Sequence, residues 1–283
     1  MNLFDEAPSA IENSEGGEKI SAPAPYAWRE ILAYLSRRRT PGLERIDADR
    51  YTRQTASSDV TVTYSVESTQ LNISTTGETP RVRRLFGLDH DAKVAARIFT
   101  GCPLLGPRVV QLPGLRIPGC WEPFELCLRV ILGQQVTVAA ASTLMGRLGA
   151  ICPGYYAPEI AKADLTQLGV PGSRARTIQA LAQAVSGGDL LFESQPWEEI
   201  ARVLRRIPGI GPWTVSYLAI RLGREADAFP ESDLGLLRAA GVSSPKELLR
   251  IAERWRPYRS YAAMHLWIQP QLPDSGARQS GVA

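Results

Sequence analysis

The chain has 283 residues, of which 44% are hydrophobic and 22% are charged, and its formal net charge is +3. This length accommodates two or three modest domains. The nearly balanced charge gives no bulk electrostatic sign of a nucleic-acid partner. No apolar run approaches the roughly 20 residues of a membrane-spanning helix, and residues 1–21 lack the apolar segment of a secretory signal. We therefore expect a cytoplasmic protein with no membrane partner.

Residues 1–21 are acidic and polar, and this composition predicts a disordered tail. A helix is predicted from about Pro25 to Leu35, because apolar residues recur there at helical spacing. From about Arg50 to Ser74, apolar and polar residues alternate, which predicts an antiparallel meander of strands. Residues 22–112 are thus expected to form a small α+β domain.

The remainder of the chain, from residue 113 to residue 270, shows only helical patterns, and residues 271–283 are expected to be a second disordered tail. One long helical segment begins at Pro123, and further helices are expected near 173–186, 244–255 and 258–267. The predicted fold class is therefore α+β: a small N-terminal antiparallel-sheet domain with helices, followed by an all-helical domain. That domain contains a helix-hairpin-helix element at 196–222.

The cysteines are Cys102, Cys120, Cys127 and Cys152, and no two of them have the CxxC spacing of a metal site. The chain contains only two histidines, His90 and His265, so neither a zinc site nor an iron–sulfur cluster is expected. We interpret these cysteines as buried thiols in a reducing compartment.

The hairpin Pro208-Gly-Ile-Gly211, between two helices, is the strongest motif of the chain. Gly209 and Gly211 allow a tight turn and a close approach of the backbone to a ligand. The N–H groups at the start of the next helix, around Trp213 and Thr214, have no partner within that helix and suit a phosphate group. We expect these residues to bind the DNA backbone. The alternative interpretation is an ordinary glycine-rich turn between packed helices.

The carbonyl groups of Arg205, Ile207 and Ile210 could also hold a monovalent cation that is shared with the phosphate. No other cofactor is expected.

Three blocks of the sequence resemble the helix-hairpin-helix DNA glycosylase superfamily. The hairpin is followed by Asp227-Ala-Phe-Pro-Glu-Ser-Asp-Leu-Gly-Leu236, which is similar to the signature of the bacterial 3-methyladenine DNA glycosylase II branch. The block from Leu115 to Thr137 and the block from Glu253 to Trp267 also match that branch. The resemblance covers about residues 22–270 and implies an enzyme of base excision repair in bacteria, acting at the nucleoid.

The resemblance implies that Asp233 is the catalytic carboxylate, whereas Asp227 is structural. A carboxylate beside C1′ of the sugar stabilises the positive charge that develops when an N-glycosidic bond breaks. The same group could instead orient the attacking water, and the sequence does not separate these roles. The alternative interpretation of Asp233 is a helix N-cap.

The aromatic residues at family positions for a base pocket are Tyr34, Trp213, Tyr217 and Trp267. Electron-rich rings attract a cationic alkylated base by roughly 0.5–2 kcal/mol per contact. The alternative interpretation of each is ordinary core packing. Where the family has a tyrosine directly after the catalytic Asp, this chain has Leu234, so its pocket is less aromatic.

Members of the superfamily that also cut the DNA strand carry a lysine where this chain has Trp213. A Schiff base requires an amine, and no lysine lies between Lys162 and Lys246. We therefore expect a monofunctional enzyme that leaves an abasic site.

Gln135 aligns with the family residue that fills the gap left by an extruded nucleotide, and we expect it to contact DNA. The alternative is a solvent-facing linker between helices.

Together these expectations describe a DNA-3-methyladenine glycosylase II that excises alkylated purines, 3-methyladenine and also 7-methylguanine, from double-stranded DNA after base flipping. We expect it to act as a monomer. Two alternatives stay open at this point: an oxidised-guanine glycosylase/lyase of the same superfamily, and a non-catalytic helix-hairpin-helix DNA-binding module.

Overall fold

The computed structural model describes residues 11–14, 16–89 and 92–268. The strands of the described chain are β1 (Ile11–Ser14), β2 (Gly17–Ser21), β3 (Glu44–Ile46), β4 (Arg50–Gln54), β5 (Asp59–Ser65) and β6 (Gln70–Ile73). The helices that accompany them are α1 (Trp28–Ser36), α2 (Thr79–Leu85), α3 (Ala92–Phe99) and α4 (Gly106–Gln111).

The second part of the described chain is entirely helical. Its helices are α5 (Pro123–Leu132), α6 (Val138–Ile151), α7 (Ala157–Ile160), α8 (Gly172–Ser186), α9 (Trp197–Arg206), α10 (Pro212–Arg221), α11 (Leu234–Ala240), α12 (Pro245–Ala252) and α13 (Arg259–Trp267). Short 3₁₀ turns occur at Pro153–Tyr155, Thr166–Leu168 and Glu253–Trp255. The predicted α+β class, with a small sheet domain before a helical domain, is confirmed.

The strands form one antiparallel sheet in the order β1-β2-β6-β5-β4-β3. The alternation seen in the sequence places Val60 and Val62 of β5, and Leu71 and Ile73 of β6, in the core. Val66 departs from this pattern, since β5 ends before it and its side chain is exposed. The central strands are therefore set by the alternation of apolar residues, as predicted.

The prediction of a disordered tail at 1–21 is wrong for its second half, where β1 and β2 lie. Ile20 of β2 is fully buried and pairs with Leu71 of β6. The Glu18 carboxylate accepts hydrogen bonds from the Thr79 hydroxyl and the Gly77 N–H. The buried side chain of Ile20 and the hydrogen-bonded carboxylate of Glu18 thus hold a mostly polar segment in the sheet. Residues 1–10 and the predicted tail at 271–283 lie outside the described residues.

The helical region differs from the prediction in two places that matter for the site. The long segment that begins at Pro123 is two helices, α5 and α6, because the chain turns at residues 133–137. The short helix α11 was not predicted, although Asp233 directly precedes it. Its seven residues are too few to display a clear helical period.

A buried ion pair joins the sheet to the helical part. Arg53 of β4 donates two hydrogen bonds to the Glu125 carboxylate of α5, at 2.6 and 2.8 Å, and both residues are buried. The Thr40 hydroxyl donates a third hydrogen bond to Glu125, at 2.8 Å. The bidentate geometry fixes α5, whose C-terminal end leads into the loop at 133–137.

The described residues contain no helix that is long and apolar enough to cross a membrane. Within the same ranges, no group of three or more His, Cys, Asp and Glu side chains could hold a metal ion. Cys120, Cys127 and Cys152 are buried free thiols, and Cys102 is partly buried.

We predict that Glu125→Gln lowers the free energy of unfolding by about 3–5 kcal/mol, because the Arg53 guanidinium would remain buried without its main counter-charge. The double substitution Arg53→Met with Glu125→Leu should lower the free energy of unfolding by less than Glu125→Gln does, because it removes both charges of the bidentate pair and leaves only the weaker 3.8 Å contact of Glu44 without its partner. The free energy of unfolding of wild type and of each variant is measured by urea denaturation.

The matched control is Glu193→Gln, which removes the charge of an exposed ion pair with Arg84 and should change stability by at most about 1 kcal/mol. A loss for Glu125→Gln no larger than that of the control would contradict a structural role for the buried pair.

Candidate active site and nucleic-acid interface

A cleft of about 1500 Å³ runs across the helical part of the molecule. Its walls come from the loop 133–137, the start of α8, the hairpin, the start of α11 and the end of α13. The cleft is strongly basic. Among the described residues, one carboxylate lines it, that of Asp233, against the arginines Arg38, Arg129, Arg174, Arg176 and Arg238. An excess of guanidinium groups favours a polyanion.

The hairpin forms the tight turn that its glycines predict, but the two glycines differ. Gly209 has φ +94°, and a Cβ built on it would lie 2.3 Å from the Thr177 hydroxyl oxygen. Only glycine fits there without movement. Gly211 has an ordinary φ of −95°, and a Cβ on it would meet open space. Gly209 is therefore required by the fold, whereas Gly211 leaves the start of α10 open to a ligand.

No side chain caps the N-terminus of α10, where Gly211 is the N-cap residue and Pro212 follows. The first N–H groups of a helix have no partner within it and point outward along its axis. The Thr214 hydroxyl is buried and accepts a hydrogen bond from Gln134, which is compatible with the prediction because that prediction concerns the backbone N–H groups. What Thr214 offers a phosphate is its backbone N–H.

One face of α10 carries Trp213, Tyr217 and Arg221, which are four residues apart and therefore lie above one another. The rings of Trp213 and Tyr217 are stacked, with centroids 5.5 Å apart. Trp267, at the end of α13, packs against Tyr217 with centroids 5.2 Å apart. Three of the four predicted pocket aromatics thus form one cluster on the cleft.

Asp233 lies directly against this cluster. Its Oδ2 accepts a hydrogen bond from the Trp213 indole at 2.9 Å, and its Oδ1 accepts one from the Trp267 indole at 3.0 Å. The same Oδ1 accepts the Leu236 N–H at 2.9 Å, which caps α11. Asp233 is thus the N-cap of α11 and also lines the cleft, so the N-cap interpretation does not exclude the predicted catalytic role. Three N–H donors fix the orientation of the carboxylate.

The structure corrects the prediction for Tyr34. This residue is 5% exposed and does not line the cleft. Its hydroxyl lies 3.3 Å from the Tyr217 hydroxyl and accepts a hydrogen bond from Arg221 at 3.2 Å. Tyr34 supports the aromatic wall from behind, because it belongs to α1 of the N-terminal part and packs beneath Tyr217.

Arg221 holds the aromatic wall in place through contacts that the sequence did not indicate. It is 2% exposed and donates to the Pro118 and Gly119 carbonyls, both at 2.6 Å, and to the Tyr217 hydroxyl at 3.1 Å. Arg221 lies four residues after Tyr217, so both side chains are on the same face of α10. An arginine on a helix is usually exposed, and the sequence therefore did not indicate its burial. Burial raises the pKa of the Tyr217 phenol, yet the charges of Arg221 and Arg38 outweigh burial and lower it to about 8.

The loop 133–137 places its two glutamines differently. Gln135 is exposed on the cleft, and its φ of +60° lies in the left-handed region. The side chain of Gln134 donates to the Gly209 carbonyl at 2.9 Å and to the Thr214 hydroxyl at 3.2 Å.

Asp227 is structural, as expected. Its carboxylate forms ion pairs with Arg256 and Arg259, which tie the segment before Asp233 to the start of α13.

Comparison with known proteins agrees with this architecture. A family model described as the AlkA N-terminal domain matches residues 19–122, a range that contains the sheet domain predicted at 22–112. The DNA-3-methyladenine glycosylase 2 of Escherichia coli is 32% identical over 270 residues, which cover 86% of this chain and 94% of that protein. The chain belongs to the DNA-3-methyladenine glycosylase 2 family.

A relative in Mycobacterium tuberculosis, named "Probable bifunctional transcriptional activator/DNA repair enzyme AlkA", is also 32% identical and covers 90% of this chain. The chain spans 57% of the length of that relative. Among solved structures, a 3-methyladenine DNA glycosylase from Archaeoglobus fulgidus shares the fold, with a TM-score of 0.72 and 19% identity over 88% of this chain and 96% of that one. This member of the glycosylase 2 family thus has the fold expected from its sequence.

Proposed function

We propose that this protein is a monofunctional DNA glycosylase that hydrolyses the N-glycosidic bond of alkylated purines in duplex DNA, with 3-methyladenine and 7-methylguanine as substrates. The observation that carries the proposal is a carboxylate, Asp233, held by the indoles of Trp213 and Trp267 on the wall of a basic cleft. A binding module would need the basic cleft but not an oriented carboxylate among aromatic rings. The names of its relatives also support this function.

The hairpin is the proposed site for the DNA backbone. The uncapped start of α10 offers N–H groups to a phosphate, and the arginines of the cleft add long-range attraction. We also propose a monovalent cation at the hairpin; the support is that the Arg205 carbonyl lies in the last turn of α9, where helical carbonyls lack intrahelical donors. The carbonyls of Ile207 and Ile210 would complete an oxygen site for a monovalent cation beside that phosphate.

A purine buried in a duplex cannot reach Asp233, so the nucleotide must be extruded into the cleft. We propose that Gln135 fills the vacated space, because its side chain is exposed on the cleft. The flipped base would lie against the cluster of Trp213, Tyr217 and Trp267. These rings attract a base that carries a positive charge, which distinguishes an alkylated purine from a normal one.

The chemistry then requires little from the protein. A cationic purine leaves with the electron pair of its bond to C1′, and the sugar becomes positively charged as the bond lengthens. The Asp233 carboxylate stabilises that charge, and its N–H donors prevent reorientation during the step. Water adds at C1′ and loses a proton to the solvent, which leaves an abasic site.

Strand cleavage by a Schiff base is not part of the proposal. Trp213 occupies the position of the lysine in bifunctional members of the superfamily, and no lysine lies between Lys162 and Lys246. The monomeric state and the cytoplasmic, nucleoid-associated location stay predictions.

The deciding experiment is base release from methylated duplex DNA by wild type and by Asp233→Asn. Asn is also a good N-cap, so α11 should be preserved. We expect wild type to release 3-methyladenine and the variant to be slower by about 10²–10³-fold, with unchanged DNA affinity. Excision by the variant at the wild-type rate would refute the role of Asp233.

The same reactions run with borohydride should trap no protein–DNA adduct. An efficient adduct would favour the oxidised-guanine glycosylase/lyase alternative, and tight DNA binding without base release would favour the non-catalytic module.

We predict that Gly211→Ala weakens binding to damaged and undamaged duplex alike, by about tenfold, because phosphate contacts carry no base information. A methyl group there meets open space in the protein, so the melting temperature should not change. The measurement is a titration of both duplexes, accompanied by thermal unfolding.

Gly209→Ala is the contrasting variant and should lower the melting temperature, since its Cβ would collide with Thr177. Wild-type affinity of Gly211→Ala for both duplexes would show that the hairpin is not the anchor for DNA.

We predict that Trp213→Phe and Trp267→Phe each slow single-turnover excision by about tenfold or more. Phenylalanine keeps an aromatic ring for the base but removes the N–H that orients Asp233, and a hydrogen bond to a charged group contributes about 1.5–3 kcal/mol. Trp255→Phe, which removes a buried indole distant from the cleft, is the matched control. If Trp213→Phe and Trp267→Phe both excised the base as fast as the Trp255→Phe control, orientation of the carboxylate by the indoles would not contribute to the rate.

A further inference from the structure

The loop 133–137 contacts the hairpin and helix α8, and the proposed mechanism uses neither contact. The side chain of Gln134 reaches the hairpin, where its amide nitrogen donates to the Gly209 carbonyl and to the Thr214 hydroxyl. The backbone carbonyl of Gln134 accepts a hydrogen bond from Arg174 of α8, at 2.9 Å. One residue therefore connects the loop to the hairpin and to α8.

The hairpin is held to α8 by a separate contact. The Thr177 hydroxyl donates to the Pro208 carbonyl at 2.7 Å, and it fills the space next to Gly209. Three segments that are distant in the sequence thus form one hydrogen-bonded unit: the loop 133–137, the hairpin and the first turns of α8. Within this unit the amide of Gln134 makes the side-chain contact between loop and hairpin.

Gln135 depends on this unit for its position. Its left-handed φ of +60° is uncommon for a residue with a Cβ, and such a conformation persists only when its surroundings impose it. The helices on both sides of the loop fix its ends, at Leu132 and Val138. The hydrogen bonds of Gln134 fix its middle.

We propose that Gln134 is a positioning residue, which holds the side chain of Gln135 at a fixed place relative to the phosphate-binding hairpin. When the hairpin binds the DNA backbone, Gln135 then already lies where the extruded nucleotide leaves its gap. This inference rests on the proposed function, and it assigns to Gln134 a role in extrusion rather than in phosphate binding or in bond cleavage.

A glutamine suits this role because both acceptors on the hairpin are oxygen atoms, a carbonyl and a hydroxyl, and its uncharged NH₂ group donates to both. Met has a similar length and no donor, whereas Glu replaces the donor by a charged acceptor that would face the Gly209 carbonyl. Gln134→Met and Gln134→Glu therefore remove the contact in two different ways while they retain the size of the side chain.

The test is single-turnover excision of 7-methylguanine from three substrates: the lesion paired with cytosine, the lesion in a mismatch, and single-stranded DNA. Extrusion is costliest for a firmly paired base. Gln134→Met should therefore slow excision about tenfold on the paired substrate and less than threefold on the other two, with unchanged affinity for undamaged duplex. Gln134→Glu should slow the paired substrate at least as much.

The matched control is Gln179→Met. Gln179 also donates its amide to a backbone carbonyl, that of Ala163 at 3.0 Å, and it does not line the cleft. This variant should retain the wild-type rate on all three substrates. Melting temperatures of both Met variants show whether either of them perturbs the fold.

A double-mutant cycle with Gln135→Ala separates positioning from a structural role. If Gln134 acts through Gln135, then adding Gln134→Met to Gln135→Ala should not slow excision of the paired lesion any further. Additive losses, or an equal loss on all three substrates, would overturn the inference.

Failure of the proposed function would look different, because the wild-type protein would then release no base from any substrate. The inference could in that case be tested by the fluorescence of 2-aminopurine opposite an abasic site. Gln134→Met and Gln135→Ala should reduce the extrusion signal equally and non-additively, and a signal that only Gln135→Ala changes would refute it.

Discussion

The guanidinium of Arg221 lies at the end of α10, where four oxygen atoms surround it: the Pro118 and Gly119 carbonyls and the Tyr34 and Tyr217 hydroxyls. This one group joins the helix to the segment between the two parts of the molecule and to the sheet domain. The position of α10 sets the position of the hairpin and of the aromatic wall, because the hairpin leads directly into its first turn and the rings of Trp213 and Tyr217 project from its side. An exposed arginine could exchange these partners for water. Because Arg221 is buried, its hydrogen bonds hold α10 in one position.

The site combines two opposite electrostatic requirements in a small volume. In the proposed function, DNA is attracted by the arginines that line the cleft, whereas the sugar cation and an alkylated base need negative charge or electron-rich rings. The fold satisfies both by placing one carboxylate, Asp233, among the rings of Trp213 and Trp267. Those indoles donate hydrogen bonds to both oxygens of the carboxylate.

Local chemistry serves structure and function together in several places. The hydrogen bond from the Leu236 N–H to Asp233 caps α11 and also fixes the carboxylate. The positive φ of Gly209 makes the turn and also directs its carbonyl to Gln134. Asp233 is therefore a helix cap and also lines the cleft, because the Leu236 N–H binds the same carboxylate that faces the indoles of Trp213 and Trp267; its catalytic role stays a prediction.

The sequence by itself determined the fold class, the central strands through the alternation around Val62, and the hairpin through its Pro-Gly-Ile-Gly pattern, because these depend on local periodicity and backbone freedom. It also indicated Asp233 through a motif of adjacent residues. Only the tertiary structure decided that Tyr34 lies behind the pocket, that β2 belongs to the sheet, and that Arg221 is buried. These features depend on contacts between residues that are far apart in the chain, and no local pattern specifies which surface a side chain will meet once the helices and the sheet have packed.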